Sequence, residues 1–228
     1  MFLDIDSAIS LKKEMEDIDL TGINLIISPS YINFNLFREY NLCAQDCFYE
    51  DIGPYTGEIS CLQLKQNGIN YSLVGHSYRR KYDTDKVINL KIKSLLKNKM
   101  TPVLCIGEYK KNSLFIANKI ILKKQIENAL KGISLTNDDE IIIAYEPVWT
   151  IGSGTVLTED RLNVSLEWIK NILDNMNIKN YKLLYGGSIN AKNISEIQSC
   201  NLDGYLLGGS SVNVEELKNI INYTKKCK

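Results

Sequence analysis

The chain has 228 residues, a length that one α/β barrel routinely fills, and its 27 basic residues balance 27 acidic ones, so no global positive field draws it to nucleic acid or anionic lipid. The opening, MFLDIDSAIS, has no basic n-region or long apolar run, and no stretch approaches the roughly 20 apolar residues of a membrane span. Six cysteines (43, 47, 61, 105, 200 and 227) form no CxxC pair and meet one histidine, which argues against a metal site and predicts reduced thiols in a cytoplasmic protein.

The chain opens on a helical pattern, with Ile9, Leu11 and Met15 as inward residues and Ser7 as candidate N-cap. Seven short β-branched runs follow, at 24–28, 42–45, 71–75, 102–106, 140–145, 182–185 and 204–207. Helical patterns with apolar spacings of three and four lie between and after them, near 31–40, 60–67, 84–98, 113–131, 159–176, 191–199 and 214–226. In the fifth, Leu162, Leu166, Ile169 and Leu173 share one face, while Glu159, Lys170 and Asp174 lie off it. Strands alternating with helices predict a parallel sheet, and no linker or composition shift divides the chain. A helix, then seven strands each followed by a helix, is a (β/α)8 barrel without its first strand, in a single domain over 1–228. Such a remnant would leave two sheet edges, at 24–28 and 204–207, with unpaired backbone groups.

Catalytic groups of parallel barrels sit past the C-terminal ends of strands, and three segments fit that rule. The run Tyr71 to Gly75 leads straight into His76, the only histidine. A lone histidine is by default a surface or satisfied core residue, but its place at a strand end after glycine shifts that balance. The apolar run from Ile141 ends on Glu146, followed by Pro147, Val148, Trp149, Thr150, Ile151 and Gly152-Ser153-Gly154. Glu146 could cap a barrel end through an ion pair; enclosure beside Trp149 and Ile151 would instead raise its pKa toward that of a working base. Gly152 and Gly154 supply the backbone freedom of a lid, or of an ordinary turn. Lastly, Tyr185-Gly186-Gly187-Ser188 and Leu207-Gly208-Gly209-Ser210 end the last two strands. Such glycines let backbone N–H groups approach a phosphate, with plain tight turns as the alternative.

At these residues the sequence resembles the triosephosphate isomerase family. The family's Gly-His-Ser-Glu-Arg-Arg appears as Gly75-His76-Ser77-Tyr78-Arg79-Arg80, and its lid as the run from Ala144 to Gly154. Thr56-Gly57-Glu58 resembles its dimer loop, Ala44-Gln45-Asp46-Cys47 its third strand end and Cys105-Ile106-Gly107-Glu108 its fifth; the two glycine turns complete the likeness. The resemblance implies a TIM barrel that interconverts dihydroxyacetone phosphate and glyceraldehyde 3-phosphate without metal or organic cofactor. The family is itself the usual illustration of a glutamate base beside a neutral histidine electrophile, so those roles come from the resemblance: Glu146 as base and His76 as electrophile. It also implies phosphate binding by backbone N–H groups of Gly152, Ser188, Gly208 and Gly209, a lid over 147–155, and a homodimer through Tyr55, Thr56, Gly57 and Glu58.

Two departures stand out. The family's first strand carries an asparagine and a lysine that reach the site, and the 228 residues begin where that lysine would just have passed; Lys12 and Lys13 read as ordinary helix charges. Tyr78 replaces a glutamate that pairs with that lysine, and Thr155 replaces a common lysine in the lid. Losing even one neutral oxyanion donor costs about 10²–10³ in rate, so impaired turnover is expected of this form. Either an upstream strand belongs to the natural enzyme, or the protein is a degenerate homologue that binds a phosphorylated ligand or partners a complete isomerase. A different phosphosugar enzyme on the same barrel is the weakest reading.

Overall fold

The computed structural model describes residues 2–111, 116–197 and 200–226. Among them, helix α1 (Ile5–Met15) precedes β1 (Ile26–Ile27), β2 (Asn41–Ala44), α2 (Cys61–Gln66), β3 (Tyr71–Val74), α3 (Asp85–Lys97) and β4 (Thr101–Ile106). Then come α4 (Ile116–Ala129), β5 (Ile141–Tyr145), α5 (Glu159–Asn175), β6 (Tyr181–Tyr185), β7 (Gly204–Tyr205) and α6 (Val214–Lys226). The seven strands form one sheet in the order β1 to β7, every neighbouring pair parallel. Parallel neighbours need a crossover between them, and the intervening helical segments supply it.

Both faces of the sheet are buried, as parallel sheets require. Cys43, Val103, Cys105, Ile142 and Ala144 form an inner cluster with Ile26, Leu73, Leu184 and Leu206. Their sequence neighbours Leu42, Ala44, Leu104, Ile106, Ile141, Ile143 and Tyr145 join the larger outer cluster with the helices. This is the period of two expected along strands, read out on two opposite apolar layers. The face expected of α5 is buried as expected: Leu162, Leu166, Ile169 and Leu173 are all inaccessible or nearly so, each such burial stabilising by about 1.5–3 kcal/mol.

The sheet agrees with the seven strands expected from sequence, and its margins differ in length. The runs 24–28 and 204–207 shrink to two paired residues each, because β1 and β7 have one neighbour apiece and a single ladder holds less backbone. The patterns 31–40 and 191–199 contain 3-10 segments, Tyr31–Phe37 and Ile194–Ile197; residues 198–199 lie outside the described residues, as do 113–115 of the pattern 113–131 that forms α4, and Cys227. At α1 the N-cap is Asp4, which accepts from the Ser7 N–H, so Ser7 is the capped residue and not the cap. Met15 is buried and Ile9 about half exposed. Lys12 pairs with Glu39 at 2.8 Å and Glu16 at 3.6 Å, the ordinary helix charge expected of it. The five described cysteines are free and buried, and no helix among the described residues is long and apolar enough to cross a membrane.

Candidate active site

The backbone ladder runs past the end of β4 and β5: Glu146 N–H donates to Ile106 O at 2.7 Å, and Val148 N–H to Glu108 O at 2.9 Å. Glu146 is thereby fixed at the C-terminal rim, where it is 6% exposed. Its approach depends on two glycines. A Cβ on Gly107 would stand 1.8 Å from Glu146 O, and one on Gly186 would stand 2.6 Å from Glu146 Cγ. Gln125 holds Gly107 from the helix layer, accepting from its N–H at 2.9 Å and donating to its carbonyl at 3.0 Å.

Burial of Glu146 raises its pKa to about 7, with the Cys105 thiol beside it acting weakly in the other direction. Its Oε2 is buried without a hydrogen-bond partner, a state that costs free energy and calls for a reason. The ion-pair cap considered from sequence is therefore not what holds this carboxylate.

His76 follows Gly75, whose φ of 69° is a conformation L side chains rarely adopt. Its Nε2 lies 3.9 Å from Glu146 Oε1, too long for a hydrogen bond. Burial lowers the His76 pKa, so near neutral pH a neutral imidazole faces a carboxyl group close to the midpoint of its titration. Tyr78 N–H donates to His76 Nδ1 at 3.3 Å, which leaves the ring proton on Nε2, the nitrogen that faces Glu146. A base and a hydrogen-bond donor thus flank one point, the minimum for moving a proton next to a polarised carbonyl. The Tyr78 side chain does not join them: it is exposed, packs edge-on against Tyr82 at 5.9 Å and lies under Lys81 Nζ.

Behind the histidine a charge network ties two βα units together, the turn after β2 and the β3–α3 unit. Lys91 Nζ on α3 meets Asp46 at 2.7 Å and Asp83 at 2.6 Å, and Arg79 meets the same two carboxylates at 2.8 and 3.7 Å. Burial works to lower the Lys91 pKa, but the two carboxylates outweigh it and the net shift is upward. Arg80 is engaged by Asp85 and by Cys105 O, each at 3.1 Å. None of these cations is bonded to Glu146.

The segment following Glu146 is pinned at both ends. Trp149 Nε1 donates to Glu108 Oε1 at 3.1 Å; Glu108 is fully buried and also takes Asn118 Nδ2 at 3.0 Å and the Tyr145 hydroxyl. Leu157 N–H donates to the Tyr185 hydroxyl at 3.0 Å. Between these points Ile151 to Thr155 are exposed, with Gly152 and Gly154 at φ 75° and 73°. Ser188 sits in the turn after β6 at φ 44°, and Gly208 and Gly209 open an exposed turn after β7. The structure brings Glu146 and His76 together and links Gly154 to Ser188 through Asn193. Among the described residues no hydrogen bond joins Gly152, Gly208 or Gly209 to that pair.

Gln125, Lys91 and Asn193 carried no sequence signal, since each acts through a partner distant in the chain. Glu108 lay inside a motif noted from sequence but without a role. No group of three or more His, Cys, Asp or Glu positioned to hold a metal ion occurs among the described residues.

The family model for triosephosphate isomerase matches residues 3–224. The chain is 39% identical to the triosephosphate isomerase of Dehalococcoides mccartyi strain BAV1 over 224 residues, covering 92% of this chain and 86% of that protein. It is 36% identical to that of Thermoanaerobacter pseudethanolicus, covering 90% and 83%, and 32% identical to that of Endomicrobium trichonymphae, covering 97% and 94%. With the family model matched over nearly the whole chain and relatives of 32–39% identity covered over most of their length, the chain belongs to the triosephosphate isomerase family.

Proposed function

We propose that the protein interconverts dihydroxyacetone phosphate and glyceraldehyde 3-phosphate by proton transfer through an enediol(ate). The observation that carries this reading is the facing pair: Glu146, buried with one oxygen unpaired, opposite a neutral His76 at 3.9 Å. Glu146 takes the proton from one carbon and returns it to the next; a pKa of about 7 suits both directions, since neither protonation state is far from balance. His76 Nε2–H polarises the carbonyl and then serves the enediol oxygens. Backbone N–H groups of Gly152, Ser188, Gly208 and Gly209 hold the phosphate, and the lid at 147–155 excludes water from the intermediate. No metal or organic cofactor enters this scheme.

In the 228-residue form we expect slow turnover, because the cations near the site are engaged elsewhere, Arg80 by Asp85 and Arg79 by Asp46 and Asp83, while Lys12 is held on α1 by Glu39. A coupled assay in both directions tests this. Turnover in the ordinary range of the family would refute the impairment, and a Glu146→Asp variant with unchanged rate would place the base elsewhere.

A second reading, a phosphate-ligand binder or a partner of a complete isomerase, is favoured by Tyr78, whose side chain is exposed and stacked on Tyr82 instead of serving the site. Phosphate binding with no Glu146-dependent turnover would select it. In either case the loop bearing Tyr55, Thr56, Gly57 and Glu58 is exposed and is the proposed dimer contact; sedimentation of a Tyr55→Asp variant as the same dimer would exclude it.

A further inference from the structure

Resting on the isomerase reading of the lid and of the turn at Ser188, we infer that Asn193 is a positioning residue that couples closure of the lid to the phosphate-binding turn. Its side chain is 6% exposed and its amide is fully used. Nδ2 donates to Gly154 O at 3.2 Å and to Ser188 O at 3.0 Å, while Oδ1 accepts from Asn190 N–H at 2.9 Å. The Asn190 side chain in turn accepts from Asn193 N–H at 3.1 Å. This reciprocal pair fixes which end of the amide faces inward, so both of its hydrogens meet a carbonyl.

The two carbonyls belong to the two segments that must move into register around a phosphate. Gly154 closes the Gly-x-Gly stretch of the lid, is exposed, and has no other atom near its open side. Ser188 is a non-glycine residue at φ 44°, a conformation that needs outside support. If Ser188 relaxes, its own N–H turns with it and the Asn193 amide that holds Gly154 loses one of its two carbonyl partners. Ordering either segment therefore favours ordering the other, which is a coupling between them in the thermodynamic sense. The ties at Trp149 and Leu157 hold the ends of the lid; Asn193 holds the part between them.

The test is hydrogen–deuterium exchange of the 228-residue chain, with and without inorganic phosphate, for the unaltered protein, Asn193→Leu and Asn193→Asp. The leucine keeps the volume and removes both donors; the aspartate places an oxygen against two carbonyls. Exchange over 150–157 and 186–190 should accelerate about thirtyfold in Asn193→Leu, the scale of two net hydrogen bonds, and more in Asn193→Asp. Phosphate should protect both segments in the unaltered chain and only 186–190 in Asn193→Leu. Where isomerisation is measurable, kcat should fall about tenfold with the pH midpoint unmoved.

Unchanged lid exchange, joint protection by phosphate that survives in Asn193→Leu, or no protection of the lid in the unaltered chain would each overturn the coupling. Acceleration spread evenly through α5 and β6 would make Asn193 a structural residue only and would also overturn it. Absence of isomerase activity in the unaltered chain would count against the functional reading while leaving the exchange result to judge Asn193.

Discussion

Gly186→Ala is the perturbation that separates the position of Glu146 from the stability of the fold. An alanine Cβ at 186 would lie 2.6 Å from Glu146 Cγ, 3.0 Å from Oε1 and 3.2 Å from Cδ. The φ of Gly186 is not among the positive values and its N–H bond to Tyr145 O at 2.9 Å survives the change, so the backbone has no reason to move. What moves is the carboxylate, which has rotatable bonds and must retreat by the better part of an ångström to reach ordinary contact. A misplacement of about 1 Å costs on the order of 10²-fold in rate, whereas overpacking of this kind costs about 1–3 kcal/mol in stability. The companion Gly107→Ala has the opposite character, because its Cβ would meet Glu146 O at 1.8 Å and the carbonyl carbon at 2.5 Å. Two strand ends cannot separate that far locally, and a loss of more than about 3 kcal/mol is expected. Initial rates by coupled assay and urea unfolding monitored by circular dichroism read both quantities. A folded Gly186→Ala variant that keeps the rate of the unaltered chain would refute the assignment of Glu146 as the base.

Three further outcomes follow from the charges. Because the folded-state pKa of Glu146 stands at about 7, above the 4.5 of an unperturbed glutamate, the native state holds a proton there that the unfolded chain gives up. Its contribution to stability is full below about pH 4.5 and is lost as pH rises through about 7. Glu146→Gln removes this dependence, so the variant should gain about 1–3 kcal/mol over the unaltered chain at pH 8.5 and about zero at pH 4.5; equal urea midpoints at the two pH values would contradict the shift. By the same titration kcat/KM should rise with pH through about 7, and a flat profile from pH 5.5 to 8.5 would mean another group limits the rate. Lys91→Met leaves Asp46 and Asp83 without the buried ammonium between them and should cost about 3–5 kcal/mol, read as a lower urea midpoint at constant m; a loss under about 1 kcal/mol would show that Arg79 alone suffices.

Much of this architecture was legible because it depends on local pattern. Seven β-branched runs gave seven strands in order, and the spacing of Leu162, Leu166, Ile169 and Leu173 gave the buried face of α5. Glu146 and His76 were legible as strand-end residues, yet their separation was not, since it follows from the register of β3, β4 and β5 and from two glycines that let strands abut. Where sequence reading erred, a competing local interaction had won: Asp4 caps α1 because its carboxylate, three residues before the Ser7 N–H, reaches it directly. The apolar spacing at 31–40 reads as α-helix but winds as a 3-10 segment between β1 and β2. Asn193, Gln125 and Lys91 could not be read at all. An amide or an ammonium in a helical stretch looks like a solvent-facing residue until the chain returns to bring it a carbonyl or a carboxylate.

The two margins of the sheet, β1 and β7, present different surfaces that both run in the same direction. A copy that met another through them would join β7 of one molecule to β1 of the next, a heterologous contact in which each addition regenerates the site just consumed. Such a contact stops only if its rotation closes a ring; otherwise it yields fibres of growing length, distinct in geometry and in concentration dependence from a two-fold pair formed through the loop at Tyr55.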